Sequence, residues 1–284
     1  MRRSTTSVGT EASPRASRAT DRRRLGAVLG AELICAAFLV GGPHAAPTGP
    51  AVAAPTAYTA AAPAPRAVST PDGRTAELID LGAPGGAALL DRITAELPGA
   101  TRAVTGFWGV EWPRDIPIVV AGSADQFAVL AGGGADTAAT TTAERIVFSP
   151  AATAMNDNDL RTVLRHELFH YAARADTAAD APMWLTEGVA DFVGRTGPPG
   201  AGGADAALPT DAELISPGPG RSAAYDRAWS FAGYVADSHG VDALRALYVA
   251  AGGPGHADVE TAVRDALGAG LPAVLDGWRH WHPR

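Results

Sequence analysis

Leu164-Arg165-His166-Glu167-Leu168-Phe169-His170-Tyr171 decides the reading of this chain, together with Pro182-Met183-Trp184-Leu185-Thr186-Glu187-Gly188-Val189-Ala190-Asp191-Phe192-Val193 just downstream. Asp157 or Asn158 can cap a helix that runs to about Arg174, and Pro182 opens a second that Gly194 ends. Side chains at i and i+4 project from one face of a helix, so the imidazoles of His166 and His170 can meet a single cation. Glu167 lies about 100° further round the axis, beside that cation but not aimed at it. The plain alternative is a helix with two satisfied histidines and a solvent-facing glutamate. Val163, Leu164, Leu168 and Phe169 argue against it, because they mark the helix as largely buried. Ionisable groups withdrawn from water need a partner, and a metal is the natural one.

A hydrolytic zinc takes three protein ligands and keeps one position open. The 16 residues between His170 and Glu187 suffice to turn the chain and pack a second helix on the first. Glu187 and Asp191 are again i and i+4. Glu187 can ligate, while Asp191 accepts the far ring N–H of a ligand histidine and fixes its tautomer. Standing alone the pair would read as a solvated helix face, but Trp184, Leu185, Ala190 and Phe192 leave it little solvent to face.

His-Glu-x-x-His followed by Trp-Leu-x-Glu-Gly-x-Ala resembles the gluzincin superfamily of zinc metallopeptidases. The second segment is similar to aminopeptidase N-type enzymes and to actinobacterial peptidase MA-like domains, and Glu-x-x-x-Asp is similar to thermolysin. The likeness is sharp over residues 160–194 and looser over about 85–284. It implies that His166, His170 and Glu187 hold Zn2+, that Glu167 is the general base, and that Asp191 bonds a ligand histidine. It also implies a downstream tyrosine as oxyanion donor, for which Tyr225 is the candidate ahead of Tyr234 and His239. The spacing between the motifs is shorter than in the aminopeptidases and thermolysin. Neither the aminopeptidase motif for a substrate N-terminus nor thermolysin's downstream histidine is evident, so substrate class does not carry over.

The bulk composition sets the classes aside that this reading competes with. All 23 basic residues are arginine, and net charge is -7. From Pro43 onward 16 arginines face 27 acids, which lacks the basic footprint of a nucleic-acid binder. Cys35 is the only cysteine and lies in the N-terminal apolar run, so any metal elsewhere must be held by His, Asp or Glu.

Residues 1–24 are basic and read as disordered, ending in Arg22-Arg23-Arg24. Residues 25–42 are mostly apolar apart from Glu32, which is the pattern of an export signal, cleaved, or of a retained membrane anchor. Either places the remainder outside the cytoplasm, secreted or anchored. Residues 43–68, rich in Ala, Pro and Thr, read as an extended linker, and 69–284 as the catalytic domain. Within it, helical spacing covers Ala87 to Leu97, apolar runs at 116–120 and 145–149 read as strands, and 124–130 as a short helix. Residues 132–144 and 196–220 read as loops, followed by helices. The expected class is α+β and zincin-like: a small mixed sheet, an edge strand (Ile146-Val147-Phe148) beside the active-site helix, and a mainly helical C-terminal part; the resemblance implies that this strand pairs with an extended substrate, the alternative being an ordinary buried strand. The expected partner is a peptide or protein substrate; nothing in the sequence specifies an oligomeric state. Two other readings stay open: a non-peptidase zinc hydrolase, and a surface-displayed binding module whose zinc is structural.

Overall fold

A computed structural model describes residues 64–134, 136–203 and 206–283. The basic N-terminus and the apolar run at 25–42 lie outside these residues, as does the linker up to residue 63. Among the described residues no helix is long and apolar enough to cross a membrane.

A five-stranded sheet forms the N-terminal half. Its strands are β1 (Arg66–Ser69), β2 (Thr75–Asp80), β3 (Asp115–Val120), β4 (Ala139–Thr141) and β5 (Ile146–Phe148), in the spatial order β1-β2-β3-β5-β4. β2, β3 and β5 run parallel, and β1 and β4 add antiparallel edges, so the sheet is mixed as expected. β1 begins inside the span read as linker. Helix α1 (Gly86–Trp108) makes the crossover from β2 to β3. The two faces of the sheet are read off its alternation: Ile116, Ile118, Val120, Ile146 and Phe148 join the main core, whereas Val119 and Val147 pack with Phe127 and Ala131 of α2 (Ala124–Ala131). Apolar cover on both faces explains why these strands read as unbroken hydrophobic runs.

One expectation is corrected here. Ile146–Phe148 is not the edge strand; it lies between β3 and β4, and Ala139–Thr141 is the edge. Three residues in a Gly/Ala/Thr-rich stretch carry too little alternation to read as a strand. The first helix also runs well past Leu97. Pro98 stands inside it, a placement that costs about 3 kcal/mol in a helix interior. Ala100, Thr101, Val104 and Phe107 prolong its buried stripe and outweigh that cost.

Helix α3 (Asp157–Ala173) carries the first motif and α4 (Met183–Gly194) the second. The cap of α3 is Asn156, one residue earlier than expected, whose side chain accepts the Asp159 N–H at 3.0 Å. A short helix, α5 (Asp211–Ile215), stands within the 196–220 stretch. It is opened by a reciprocal capping box between Thr210 and Glu213. The rest is helical: α6 (Pro219–His239), α7 (Val241–Gly252), α8 (Val259–Leu267) and α9 (Leu271–Arg279).

α4 is the keystone of the layout because it packs against both α3 and α6. Two glycines permit it. A methyl group on Gly188 would stand 2.6 Å from the Ala228 carbonyl oxygen of α6, and one on Gly194 would stand 2.9 Å from the Thr162 carbonyl oxygen of α3. Gly188→Ala therefore forces backbones apart and should destabilise the protein by about 1–3 kcal/mol, the usual range for overpacking. Thermal melts should show a lowered midpoint; an unchanged midpoint would refute the close α4–α6 packing.

Candidate metal centre

Three donor atoms converge where α3 and α4 cross. His166 Nε2 and His170 Nε2 stand 3.0 Å apart, Glu187 Oε2 lies 3.2 Å from His166 Nε2, and Glu187 Oε1 lies 3.7 Å from His170 Nε2. Ligand atoms of the three residues all fall within 4.8 Å of one another. Donors about 2.0–2.1 Å from one tetrahedral zinc stand roughly 3.3 Å from each other, so the observed spacings fit a single ion of that size. The donor chemistry fits as well, being two imidazoles and one carboxylate. Glu187 Oε2 is buried and out of hydrogen-bond alignment with its neighbours, an acceptor that a cation would satisfy. His166 and Glu187 are essentially inaccessible, while the His170 side chain keeps 12% exposure and marks the open side.

Asp191 lies against the far side of the His166 ring. Its Oδ1 is 2.9 Å from His166 Nδ1, which leaves Nε2 free to face the donor cluster. Both groups are wholly buried. Burial alone would depress the His166 pKa, but Asp191 and Glu187, as acceptors and as charges, outweigh it and push it up to about 10. For Glu187 burial works upward, yet the His170 and His166 rings beside it hold it well below the carboxylate range.

Glu167 is not among the converging donors. Its carboxyl is fully buried, and burial pushes its pKa up against the opposing pull of His166, His170 and Thr141. The Thr141 hydroxyl lies 2.7 Å from Glu167 Oε2 and 2.8 Å from the Glu167 main-chain oxygen, while Oε1 makes no hydrogen bond to a described residue. Thr141 is a member of edge strand β4, and sequence reasoning missed it. No periodicity links residue 141 to 167; the signal would have been a hydroxyl residue in the strand ahead of the motif helix.

Tyr225 is buried on α6, one turn before Ala228, whose carbonyl faces Gly188 next to Glu187. Tyr234 packs edge-on to His239 at 5.9 Å, and both stand on the later turns of α6. His256 faces Asp180 and His280 faces Asp276, so neither joins the cluster.

Zinc requires unprotonated imidazoles, so it competes with the His166 proton. Affinity should climb as pH rises from about 6.5 toward 10, with release of about one proton per ion near neutral pH. Calorimetry in buffers of different ionisation enthalpy reads this directly. In the metal-free chain the folded pKa of His166 exceeds its unfolded 6.5, so its stabilisation is complete below 6.5 and fades as pH approaches 10. Metal-free melting temperature should fall across that window; a flat profile there would contradict the buried His166 pairing.

No family model matches the sequence, and no curated protein does. Among solved structures the chain is similar to an M1 zinc metallopeptidase from Deinococcus radiodurans, in its E323A mutant form. The TM-score is 0.48 and identity 17%, over 78% of this chain and 53% of that one, so this chain spans about half the length of its neighbour. What the centre can do rests on its own side chains: a buried His-His-Glu cluster that fits one divalent ion, with a further buried carboxyl, Glu167, beside it.

Proposed function

We propose that this chain is a zinc-dependent peptidase of the gluzincin kind, acting outside the cytoplasm. One observation carries the reading: Glu167, adjacent in sequence to a metal-ligand candidate, is buried yet stands apart from the ligand set, held by Thr141. A purely structural zinc site has no use for such a carboxyl. Residues His166, His170 and Glu187 would hold the ion. Bound there, zinc supplies Lewis acidity, bringing a water's pKa from 15.7 to near 7 and polarising a carbonyl. Glu167 takes the proton of the attacking water and returns it to the leaving amine. Its burial favours that exchange, because a carboxyl whose pKa is raised both accepts and releases a proton more readily near neutral pH. Asp191 keeps the His166 ring in its ligating orientation. An extended peptide would add to the sheet at its edge strand β4, main chain to main chain. Tyr225 is proposed as the oxyanion donor from α6. The location outside the cytoplasm rests on the arginine-rich start followed by the apolar run at 25–42.

Glu167→Gln should keep zinc content and melting temperature while peptide hydrolysis falls by roughly 10²–10⁴-fold, the usual worth of a general base. Thr141→Val should retain zinc and lower kcat with little change in KM, since it frees the carboxyl to rotate; Thr141→Ser should restore most of it. A peptide-library cleavage profile with zinc analysis checks all three variants. Equal cleavage by wild type and Glu167→Gln would convert the centre to a structural one. Hydrolysis of a non-peptide amide, with no peptide cleaved, would move the assignment to another zinc hydrolase.

A further inference from the structure

Asp191 has a second partner that the ligand scheme does not use. Its Oδ2 lies 2.7 Å from an Arg195 guanidinium nitrogen, an ion pair one helical turn further along α4. The other terminal nitrogen of that guanidinium bonds Asp226 Oδ1 on α6 at 2.6 Å, and its carbon stands 4.7 Å from the Trp229 ring centre. The Arg195 side chain is 24% exposed and Asp226 is 62% exposed. A rigid, planar fork bridges two carboxylates in a way that a lysine could not. The result is a continuous line from His166 through Asp191 and Arg195 to α6.

The charges around the centre give that line a purpose. Glu167, Glu187 and Asp191 are three carboxylates with 0–1% exposure. Neutral histidine ligands add nothing, and a divalent ion offsets two of the three charges. The third finds its counterpart in Arg195, whereas Asp226, being exposed, is largely neutralised by solvent. Uncompensated charge in such a setting is costly, and removal of one partner of a buried pair leaves the other stranded.

We propose that Arg195 is a positioning residue of the metal site: clamped by Asp226 and Trp229, it fixes Asp191, thereby the His166 ring, and balances the third buried carboxylate. The inference rests on His166, His170 and Glu187 being the zinc ligands. It makes α4–α6 packing and metal affinity parts of one system. Arg195 also stands at the C-terminal end of α4, where a positive side chain favours any helix; that role would leave zinc affinity untouched.

The test is zinc affinity alone, measured by competition with a chromophoric chelator, with circular dichroism to verify folding. Arg195→Gln should weaken zinc by about tenfold or more, the scale on which partners of ligand histidines act. Arg195→Lys should recover part of that loss, since an ammonium can pair with Asp191 but cannot also reach Asp226 in the same geometry. Asp226→Asn, a surface change that keeps the Arg195–Asp191 pair, should weaken zinc a few-fold. Unchanged or tighter zinc binding by folded Arg195→Gln overturns the proposal. Should that variant fail to fold, unchanged affinity in Asp226→Asn overturns it instead. A wild-type protein that binds no zinc would overturn the metal-site reading itself, a separate outcome.

Discussion

His166, Glu167, Glu187 and Asp191 are withdrawn from water between two packed helices, with His170 at the rim. The effective cost of desolvating an ion inside a protein is several kcal/mol, and four such groups on α3 and α4 can be kept there only if they compensate one another. A positive charge on the His166 ring does part of this, since Asp191 faces one ring nitrogen and Glu187 the other. A divalent ion does it more completely, because one charge of two units faces three donors at once. Burial of Glu167 follows the same logic: it is tolerable beside positive charge, supported by the Thr141 hydroxyl.

That electrostatic demand explains the packing around it. The donors meet only if α3 and α4 approach closely, and Gly194 removes the side chain that would hold them apart. Gly188 does the same between α4 and α6, next to the ligand candidate Glu187. Behind α3, Phe169 makes edge-to-face contacts with Trp108 and Tyr248 at 5.7 and 5.4 Å, while Trp184 meets Phe231 of α6 at 5.4 Å. Aromatic pairs of this geometry are each worth about 0.5–1.5 kcal/mol beyond their burial, which helps hold polar groups in a core they would otherwise disfavour. The glycine in Trp-Leu-x-Glu-Gly is thus a packing requirement set by the helix that crosses there.

What the sequence made legible is what obeys a short period. The i, i+4 pairs His166/His170 and Glu187/Asp191 fix a common face by helix geometry alone, and the apolar residues between them mark both helices as buried. The strands at β3 and β5 were legible because both of their faces are covered. Features set by long-range contact were not: Thr141 meets Glu167 across 26 residues, and β4 gains its strand character from pairing with β5. The prolonged α1 was hidden by Pro98, whose local penalty tertiary packing overrides. Arg195 follows the Gly194 that ends the helix, and its partner Asp226 lies 31 residues away, so no short period links them.

Two parts of the centre are therefore of different origin. The proposed ligands and Asp191 belong to α3 and α4, elements locked by close backbone approach. The hydroxyl that bonds Glu167 belongs to the sheet, on its edge strand β4. Under the proposed function, a peptide that added itself to β4 would become continuous with the strand whose Thr141 side chain bonds the Glu167 carboxyl. Substrate main chain, base and metal ligands would then be referred to one framework, with β4 as the common member. Positioning of reactants accounts for a large share of enzymatic rate, and it is most exact where the reacting groups share a rigid support. In this chain that support is the crossing of an edge strand over the helix that carries His166, Glu167 and His170.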